Sequence, residues 1–300
     1  MTEPLSLTDA HMHLWDLQRL RYPWLTPPLP VGITGDVTPI ARNYLLDDYL
    51  RDAAAGGVRV EKLVHVEAGA HPEDALAETR WLQSLSEARG FPHAIVAHAQ
   101  LESPEAAALL EQQAAHAAVR GIRQILNWHP DPAKTYTPHD LLEAQPWQAG
   151  FARLARHGLS FDLQIYPAQM PAAARLAARH PDTLLILNHT GMPVDKDEAG
   201  VERWRRGMRL LAAEPNVAVK ISGLAMLDWY WSGESLRPFV LETLEMFGAA
   251  RTMLASNFPV DRLFGPFGRY FETYVALLGG ASPSERAALF GGTAARLYRI

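Results

Sequence analysis

The chain of 300 residues contains no cysteine. This absence excludes disulfide bonds, thiolate metal ligands and a cysteine nucleophile. No apolar run reaches the length of a bilayer span, and the first residues lack the basic and apolar regions of a signal peptide. With 28 basic against 33 acidic residues, the charge does not favour nucleic acid or an anionic membrane as a partner. We therefore expect a cytoplasmic protein that binds a small molecule, and homo-oligomer formation stays open.

The chain also lacks a glycine-rich loop after any candidate strand, which disfavours a doubly wound nucleotide-binding fold. Strand-like segments instead alternate with amphipathic ones. We predict strands at Leu5–Leu14, Glu61–Ala68, His93–Leu101, Val119–Asn127, Leu159–Tyr166, Thr183–His189, Val217–Gly223 and Thr252–Asn257. We predict helices at Leu45–Ala55, Pro72–Arg89, Pro104–Val119, Pro171–His180 and Gly200–Glu214, and a last one from Pro283 to about Tyr298. Eight such units predict an α/β protein with one domain over residues 1–300, a distorted (β/α)8 TIM-type barrel.

Two histidines near the start of the chain form the strongest candidate for a site. His11 and His13 are two residues apart at the end of the first predicted strand, so their side chains point to one face. His189 ends another apolar strand. Imidazoles gathered at the strand ends of a barrel suit polarisation of a carbonyl group, either directly or through a metal ion.

Other polar side chains follow the remaining predicted strands, at the end of a barrel where chemistry takes place. Arg123 on an otherwise apolar strand requires an anion, which is either a substrate carboxylate or an internal acid such as Glu67. The irregular stretch from Arg19 to Arg42, which contains Trp24, follows the first strand and is expected to cover the site. The further candidates at strand ends are His65, Gln164, Tyr166, Lys220, Asn257 and Asp261.

Several ordered motifs resemble the amidohydrolase superfamily. They are Asp9-Ala-His11-Met-His13-Leu-Trp15, Tyr22-Pro-Trp24-Leu25, Gly121-Ile-Arg123, Asn188-His189-Thr-Gly191, Lys220-Ile-Ser-Gly223 and Ser256-Asn257-Phe-Pro259. Within it the chain is similar to the amidohydrolase-2 branch, which holds the sugar-lactone lactonases and 2-pyrone-4,6-dicarboxylate lactonase. The resemblance covers essentially the whole chain. It implies a distorted (β/α)8 barrel that hydrolyses an ester, lactone or amide bond.

The chain departs from the metal-dependent members of that superfamily. Such members add a histidine at strand 5, often a carboxylated lysine at strand 4, and an aspartate at strand 8. Here the fifth predicted strand carries Gln164, and Asn257 stands where the aspartate is expected. An amide neither takes a proton at neutral pH nor supplies a charged ligand. We therefore expect no cofactor, and keep one Zn²⁺ or other divalent ion on His11, His13 and His189 as the alternative.

The predicted function is the opening of a lactone of a sugar acid or a carboxylated ring by water. His11, His13 and His189 are expected to surround the carbonyl, at least one of them as an imidazolium. Glu67 is the predicted general base, with His65 as its alternative or as a substrate-binding group. Arg123, Gln164, Tyr166 and Trp24 are predicted to bind substrate, and Asn257 to position it or the water. The alternatives are a zinc-dependent amidohydrolase or decarboxylase, and a barrel that binds a small molecule without catalysis.

Overall fold

The computed structural model describes residues 3–300. Eight parallel strands pair in chain order into one sheet. They are β1 (Leu5–Met12), β2 (Val58–Val66), β3 (Ala94–His98), β4 (Val119–Ile125), β5 (Ser160–Gln164), β6 (Leu185–Leu187), β7 (Val217–Ile221) and β8 (Thr252–Leu254). The segment after β8 meets β1 through backbone bonds from Asn257 N to the His11 oxygen and from His13 N to the Phe258 oxygen, both 2.8 Å. The sheet is therefore a nearly closed barrel, and the predicted (β/α)8 fold is confirmed.

Helices connect successive strands around the barrel. They are α1 (Leu46–Ala55), α2 (Ala75–Arg89), α3 (Ala106–Ala114), α4 (Gln145–Phe151), α5 (Met170–Arg179), α6 (Glu198–Ala213), α7 (Gly233–Phe247), α8 (Phe267–Leu277), α9 (Pro283–Ala287) and α10 (Thr293–Tyr298). Ser282 caps α9, because its hydroxyl accepts from Glu285 N while the Glu285 carboxylate accepts from Ser282 N. Among the residues from 3 to 300, no helix is both long and apolar enough to span a membrane.

Part of the barrel interior is apolar. Small and branched side chains from β1, β2, β3, β6, β7 and β8 form one buried cluster, and Tyr298 of α10 packs into it. Side chains from strands that are not neighbours in the sheet meet only inside the barrel. Val64 and Val66 belong to this cluster, so His65 between them points to the opposite face.

Several predicted boundaries are wrong in the same direction. The predicted strands extend beyond the observed ones at their carboxyl ends, where the polar residues leave the ladder. Asn188 and His189 lie beyond β6, for example, and His189 has a left-handed backbone with φ of 53°. The helix predicted from Pro104 begins at Ala106 and ends at Ala114. The last predicted helix is divided, because a π-helical turn at Ala288–Gly292 separates α9 from α10.

Candidate active site

A cavity of about 390 Å³ opens at the carboxyl ends of the strands. Its deep side, the polar floor, consists of buried polar side chains from five strand ends: His13, Arg123, Gln164, His189 and Asn257. Loop and strand-end residues form its apolar wall, which consists of Trp24, Val31, Ile33, Met192 and Met226. Val31 is 90% exposed, so residues 30–34 border the mouth. The segment between β1 and α1 covers the site, as the sequence predicted.

His11 and His13 form a hydrogen-bonded pair whose proton positions follow from their outer partners. Nδ1 of His13 lies 2.8 Å from the Val66 carbonyl oxygen, which only accepts, so this nitrogen carries a proton. Nδ1 of His11 lies 3.4 Å from the Lys220 ammonium, which only donates, so the His11 proton is on Nε2. The 3.2 Å contact between the two Nε2 atoms is then a hydrogen bond from His11 to His13.

This chain of bonds ends on a buried ion pair. Lys220 Nζ lies 2.5 Å from Asp162 Oδ2, and both side chains are fully buried. Asp162 also accepts from Asn188 Nδ2 at 3.0 Å and from the Tyr298 hydroxyl at 2.8 Å. Because its carboxylate is met on both oxygens, Asp162 holds the Lys220 ammonium against His11.

The three histidines are neutral. Burial lowers the pKa of His11 well below its usual value, and the Lys220 charge adds to this effect. Burial and the Arg123 charge lower the pKa of His13 and of His189 in the same way. These lowered pKa values disfavour the predicted imidazolium, since desolvation and neighbouring cations both oppose a further positive charge.

His189 presents one ring nitrogen to the cavity. Its Nδ1 lies 3.0 Å from the Ser222 hydroxyl, which leaves Nε2 for the cavity that the ring lines. The ring packs directly on Gly223, where a Cβ atom would lie 2.5 Å from Nδ1. Gly223 has φ of +62°, a conformation that glycine adopts at little cost. Ser222 and Gly223 therefore fix this imidazole from behind.

Arg123 is paired with the acid that the sequence predicted as general base. Its Nε donates to Glu67 Oε1 at 2.6 Å, one terminal nitrogen donates to Gln164 Oε1 at 3.0 Å, and the other donates to the Glu67 carbonyl oxygen. Glu67 Oε2 accepts from Gly69 N at 2.9 Å. Although burial opposes its charge, the Arg123, His98 and Gly69 contacts lower the pKa of Glu67 to about 2.

The catalytic role of Glu67 stays a prediction, and these contacts favour another role. A carboxylate with so low a pKa is a weak base. Both of its oxygens are engaged by protein groups, and Glu67 is outside the set of described residues that line the cavity. The geometry makes Glu67 the counter-ion that fixes Arg123.

Asn257 stands at the predicted position after β8, with a left-handed backbone of φ 55°. Its Nδ2 donates to Asp261 Oδ1 at 2.7 Å, one helical turn further along the chain. The amide oxygen is therefore directed away from Asp261, and the side chain lines the cavity. Burial raises the pKa of Asp261 to about 8, although hydrogen bonds from Asn257 and Gly223 lower it in part.

Two of the predicted substrate-binding residues lie elsewhere. His65 is buried with its Nε2 at 3.3 Å from the Leu14 carbonyl oxygen, on the face opposite to the barrel interior. Tyr166 donates through its hydroxyl to the Lys134 carbonyl oxygen at 2.6 Å and lines a separate surface pocket with His129. Trp24 does line the cavity, and its Nε1 donates to the Ala68 carbonyl oxygen at 2.8 Å. Neither His65 nor Tyr166 is placed to contact a molecule in the cavity.

Sequence reasoning identified Lys220 and Asp261 at strand ends but assigned neither a role. Lys220 of β7 contacts His11 of β1 across the inside of the barrel, with β8 between the two strands, and Asp261 contacts Asn257 from the following turn. A charged residue inside an apolar strand requires a buried partner. Charged residues in such strands were therefore the sequence feature that could have indicated these contacts.

The histidines fit a metal ion only in part. Two ligand nitrogens of a tetrahedral zinc ion, each bound at about 2.0–2.1 Å, lie about 3.4 Å apart, close to the 3.2 Å between the Nε2 atoms of His11 and His13. However, the Lys220 ammonium places the His11 proton on that same Nε2. Among residues 3–300, no group of three or more histidine, aspartate or glutamate side chains is arranged to hold a cation. As arranged, the donor set does not fit a divalent ion.

Comparisons with known proteins agree with this geometry. The amidohydrolase family model matches residues 8–300. The uncharacterized protein y4mH of Sinorhizobium fredii is 44% identical over 297 residues, with 99% of each chain covered. The L-fucono-1,5-lactonase of Burkholderia ambifaria is 30% identical over 305 residues, which cover 97% of this chain and 95% of that one. A crystal structure of an amidohydrolase from Burkholderia multivorans with bound zinc is 27% identical, has a TM-score of 0.80 and covers 98% of this chain and 99% of its own.

The barrel and its strand-end site define a TIM-barrel hydrolase. The chain belongs to the amidohydrolase family, in its amidohydrolase-2 branch. The family prediction made from the strand-end motifs is thereby confirmed.

Proposed function

We propose that the protein opens a lactone ring by attack of water on the ring carbonyl, without a metal ion. The polar floor carries this proposal, because it brings a neutral imidazole, a guanidinium and an amide oxygen to one buried surface. The L-fucono-1,5-lactonase among the relatives supports a cyclic ester as the substrate.

Arg123 is the group best placed to stabilise the developing oxyanion. Three of its five N–H groups bond to Glu67 and Gln164, which leaves one N–H on each terminal nitrogen. Those bonds also fix the guanidinium plane before substrate arrives. Fixed donors in a buried site are the usual source of oxyanion stabilisation.

His189 is the proposed acceptor of the water proton. In the proposed tautomer the proton is on Nδ1, which donates to the Ser222 hydroxyl oxygen 3.0 Å away, and the lone pair of Nε2 faces the cavity. The oxygen of water bonds to the carbonyl carbon while one of its protons passes to Nε2. The ring C–O bond then breaks, and the same proton passes to the leaving alkoxide oxygen. The lowered pKa of His189 makes the neutral ring a weaker base in the first step and its protonated form a stronger acid in the second. His189 is nevertheless preferred to Glu67 as the proton acceptor, because its ring lines the cavity whereas both Glu67 oxygens are engaged by protein groups.

Asn257 and the His11–His13 pair position the reactants. The amide oxygen of Asn257 can accept the second proton of the attacking water as a hydrogen bond, with no proton transfer. His13 borders the floor next to Arg123 and His189, and His11 holds it in one orientation. Loss of the His13 ring would leave a gap in the cavity lining, and loss of the His11 ring would remove the partner that orients His13.

The test is a pH-indicator assay of the purified protein with sugar-acid lactones, alkyl lactones and pyrone carboxylates, each run with and without a chelator. We expect turnover that the chelator does not change. His189→Asn is expected to lower kcat by about 10²–10⁴-fold. His116→Asn is the matched control, because His116 precedes β4 at the opposite end of the barrel and, among the described residues, its side chain bonds only to the Gln112 carbonyl oxygen.

The other outcomes select the alternatives. Activity that is lost with chelator and restored by zinc would contradict the metal-free mechanism. It would support a metal site formed by His11, His13 and His189. No turnover of any lactone contradicts the lactonase proposal and favours a decarboxylase or a barrel that only binds. An unchanged kcat in His189→Asn removes His189 as the proton acceptor.

A further inference from the structure

The cavity is electrically neutral overall. Arg123 is the single formally charged side chain among the described residues that line it. Its charge is matched by Glu67, whose Oε1 lies 2.6 Å from Arg123 Nε. His13 and His189 are uncharged at neutral pH, because burial lowers the pKa of both rings. A ligand carboxylate would therefore find no uncompensated cation.

The hydrogen-bonding capacity of Arg123 leads to the same conclusion. After its bonds to Glu67 and Gln164, two N–H groups remain, which is enough for the reacting carbonyl. A carboxylate elsewhere on the ring would then be buried without a cation. Such burial costs several kcal/mol unless the charge is paired.

Much of the remaining lining of the cavity is apolar. Trp24, Ile33, Met192 and Met226 lie on different elements and share this surface, with Val31 at the mouth. The Trp24 ring is fixed there by its bond to the Ala68 carbonyl oxygen and by an edge contact with Trp15, whose centroid is 5.3 Å away. A ligand covers this surface best with carbon and hydrogen, since each buried methylene contributes about 0.8 kcal/mol.

We propose that the substrate is an uncharged lactone whose carbonyl meets the polar floor and whose alkyl or deoxy carbon substituent packs on the apolar wall. This inference rests on the lactonase function proposed above and narrows it, because it rejects carboxylated rings. Hydroxyl groups are accommodated near the floor, where Gln164 and Asn257 remain as partners.

The experiment compares δ-valerolactone, its 6-methyl and 6-propyl derivatives and its 6-carboxylate. The corresponding lactams, which the enzyme cannot hydrolyse readily, are titrated by calorimetry in parallel. We expect kcat/KM and lactam affinity to rise by up to about fourfold per added methylene. We expect the carboxylate to be at least tenfold poorer than the methyl compound in both measurements.

Val31→Lys tests the charge argument at an exposed position that tolerates the change. The added cation at the mouth should raise the ratio of carboxylate to methyl turnover severalfold at low salt, and the gain should disappear at high salt. Val31→Gln is the control, with similar length and no charge, and any change that it causes in the ratio should be the same at low and at high salt.

The outcomes separate the two proposals. Equal or better turnover of the carboxylate overturns the inference and leaves the lactonase intact. Lactams that bind with the expected alkyl preference, without turnover of any lactone, support the inference about the ligand and overturn the lactonase. Failure of every lactam to bind overturns the inference directly.

Discussion

The Glu67→Gln variant tests whether Glu67 is a general base or the counter-ion of Arg123. The two roles predict different losses of stability and of kcat. Gln keeps an oxygen for Arg123 Nε but has no charge, and its amide nitrogen would face Gly69 N, which now donates to Oε2 at 2.9 Å. The variant therefore leaves the Arg123 charge unpaired and two donors in contact. Breaking a buried ion pair from one side costs about 3–5 kcal/mol.

The pH dependence gives an independent measure of the same pair. The folded pKa of Glu67 is lowered from 4.5 to about 2, so the ionised group stabilises the native state by about 3 kcal/mol above pH 5. This stability is lost as the pH falls from about 4.5 towards 2. Urea unfolding of the wild type and of Glu67→Gln between pH 3 and 7 should converge at low pH.

The kinetic result decides between the roles. As a counter-ion, Glu67 affects the rate only by holding Arg123, and kcat should fall less than tenfold in the fraction of Glu67→Gln that is folded. A general base contributes about 10²–10⁴-fold. A loss of kcat in that range, with an unchanged unfolding free energy, would refute the counter-ion assignment. Glu61→Gln is the control, because Glu61 pairs with an Arg59 Nε on the surface.

Three further predictions follow from single contacts. Gly223→Ala places a Cβ 2.5 Å from His189 Nδ1 and should lower both stability and kcat, whereas the control Gly57→Ala has the same left-handed φ with nothing within 4 Å and should lower stability alone. Asp261→Asn places an amide next to Gly223 N and should lower kcat about tenfold. Because the pKa of Asp261 is raised to about 8, the variant should also lose any change in rate that the wild type shows near pH 8. An unchanged pH–rate profile would contradict this prediction. Burial and the Glu67 charge raise the pKa of Glu78 to about 8, so wild-type stability should fall as the pH rises from about 4.5 to 8, and Glu78→Gln should reduce that slope in denaturant titrations.

The fold and the composition of the floor could be predicted because they depend on local patterns. Apolar strands alternate with amphipathic helices along the whole chain, and a barrel of parallel strands gathers their carboxyl ends at one face. His13, Arg123, Gln164, His189 and Asn257 all come from such ends and line the cavity.

The contacts between these residues could not be predicted, because they depend on register and on backbone irregularities. The pairing of β1 with β2 shifts between Asp9 and Met12, so two-residue alternation does not place the His11 ring. His189 and Asn257 have left-handed backbones with φ of 53° and 55°. His and Asn adopt this conformation more often than most residues, but it is too uncommon for propensity to assign it to a particular position. The lowered pKa of His11 likewise depends on burial and on the charge of Lys220, which is distant in sequence and adjacent in space.

The replacement of an acid by Asn257 is consistent with the charges around it. The buried cations nearest the floor each have one carboxylate: Arg123 has Glu67, and Lys220 has Asp162. A further carboxylate at position 257 would lie beside Asp261, whose pKa is already raised to about 8 by burial. Two such acids 2.7 Å apart would share one proton rather than supply a base at neutral pH. An amide at this position keeps the hydrogen bond to Asp261, adds no charge and leaves proton transfer to an imidazole.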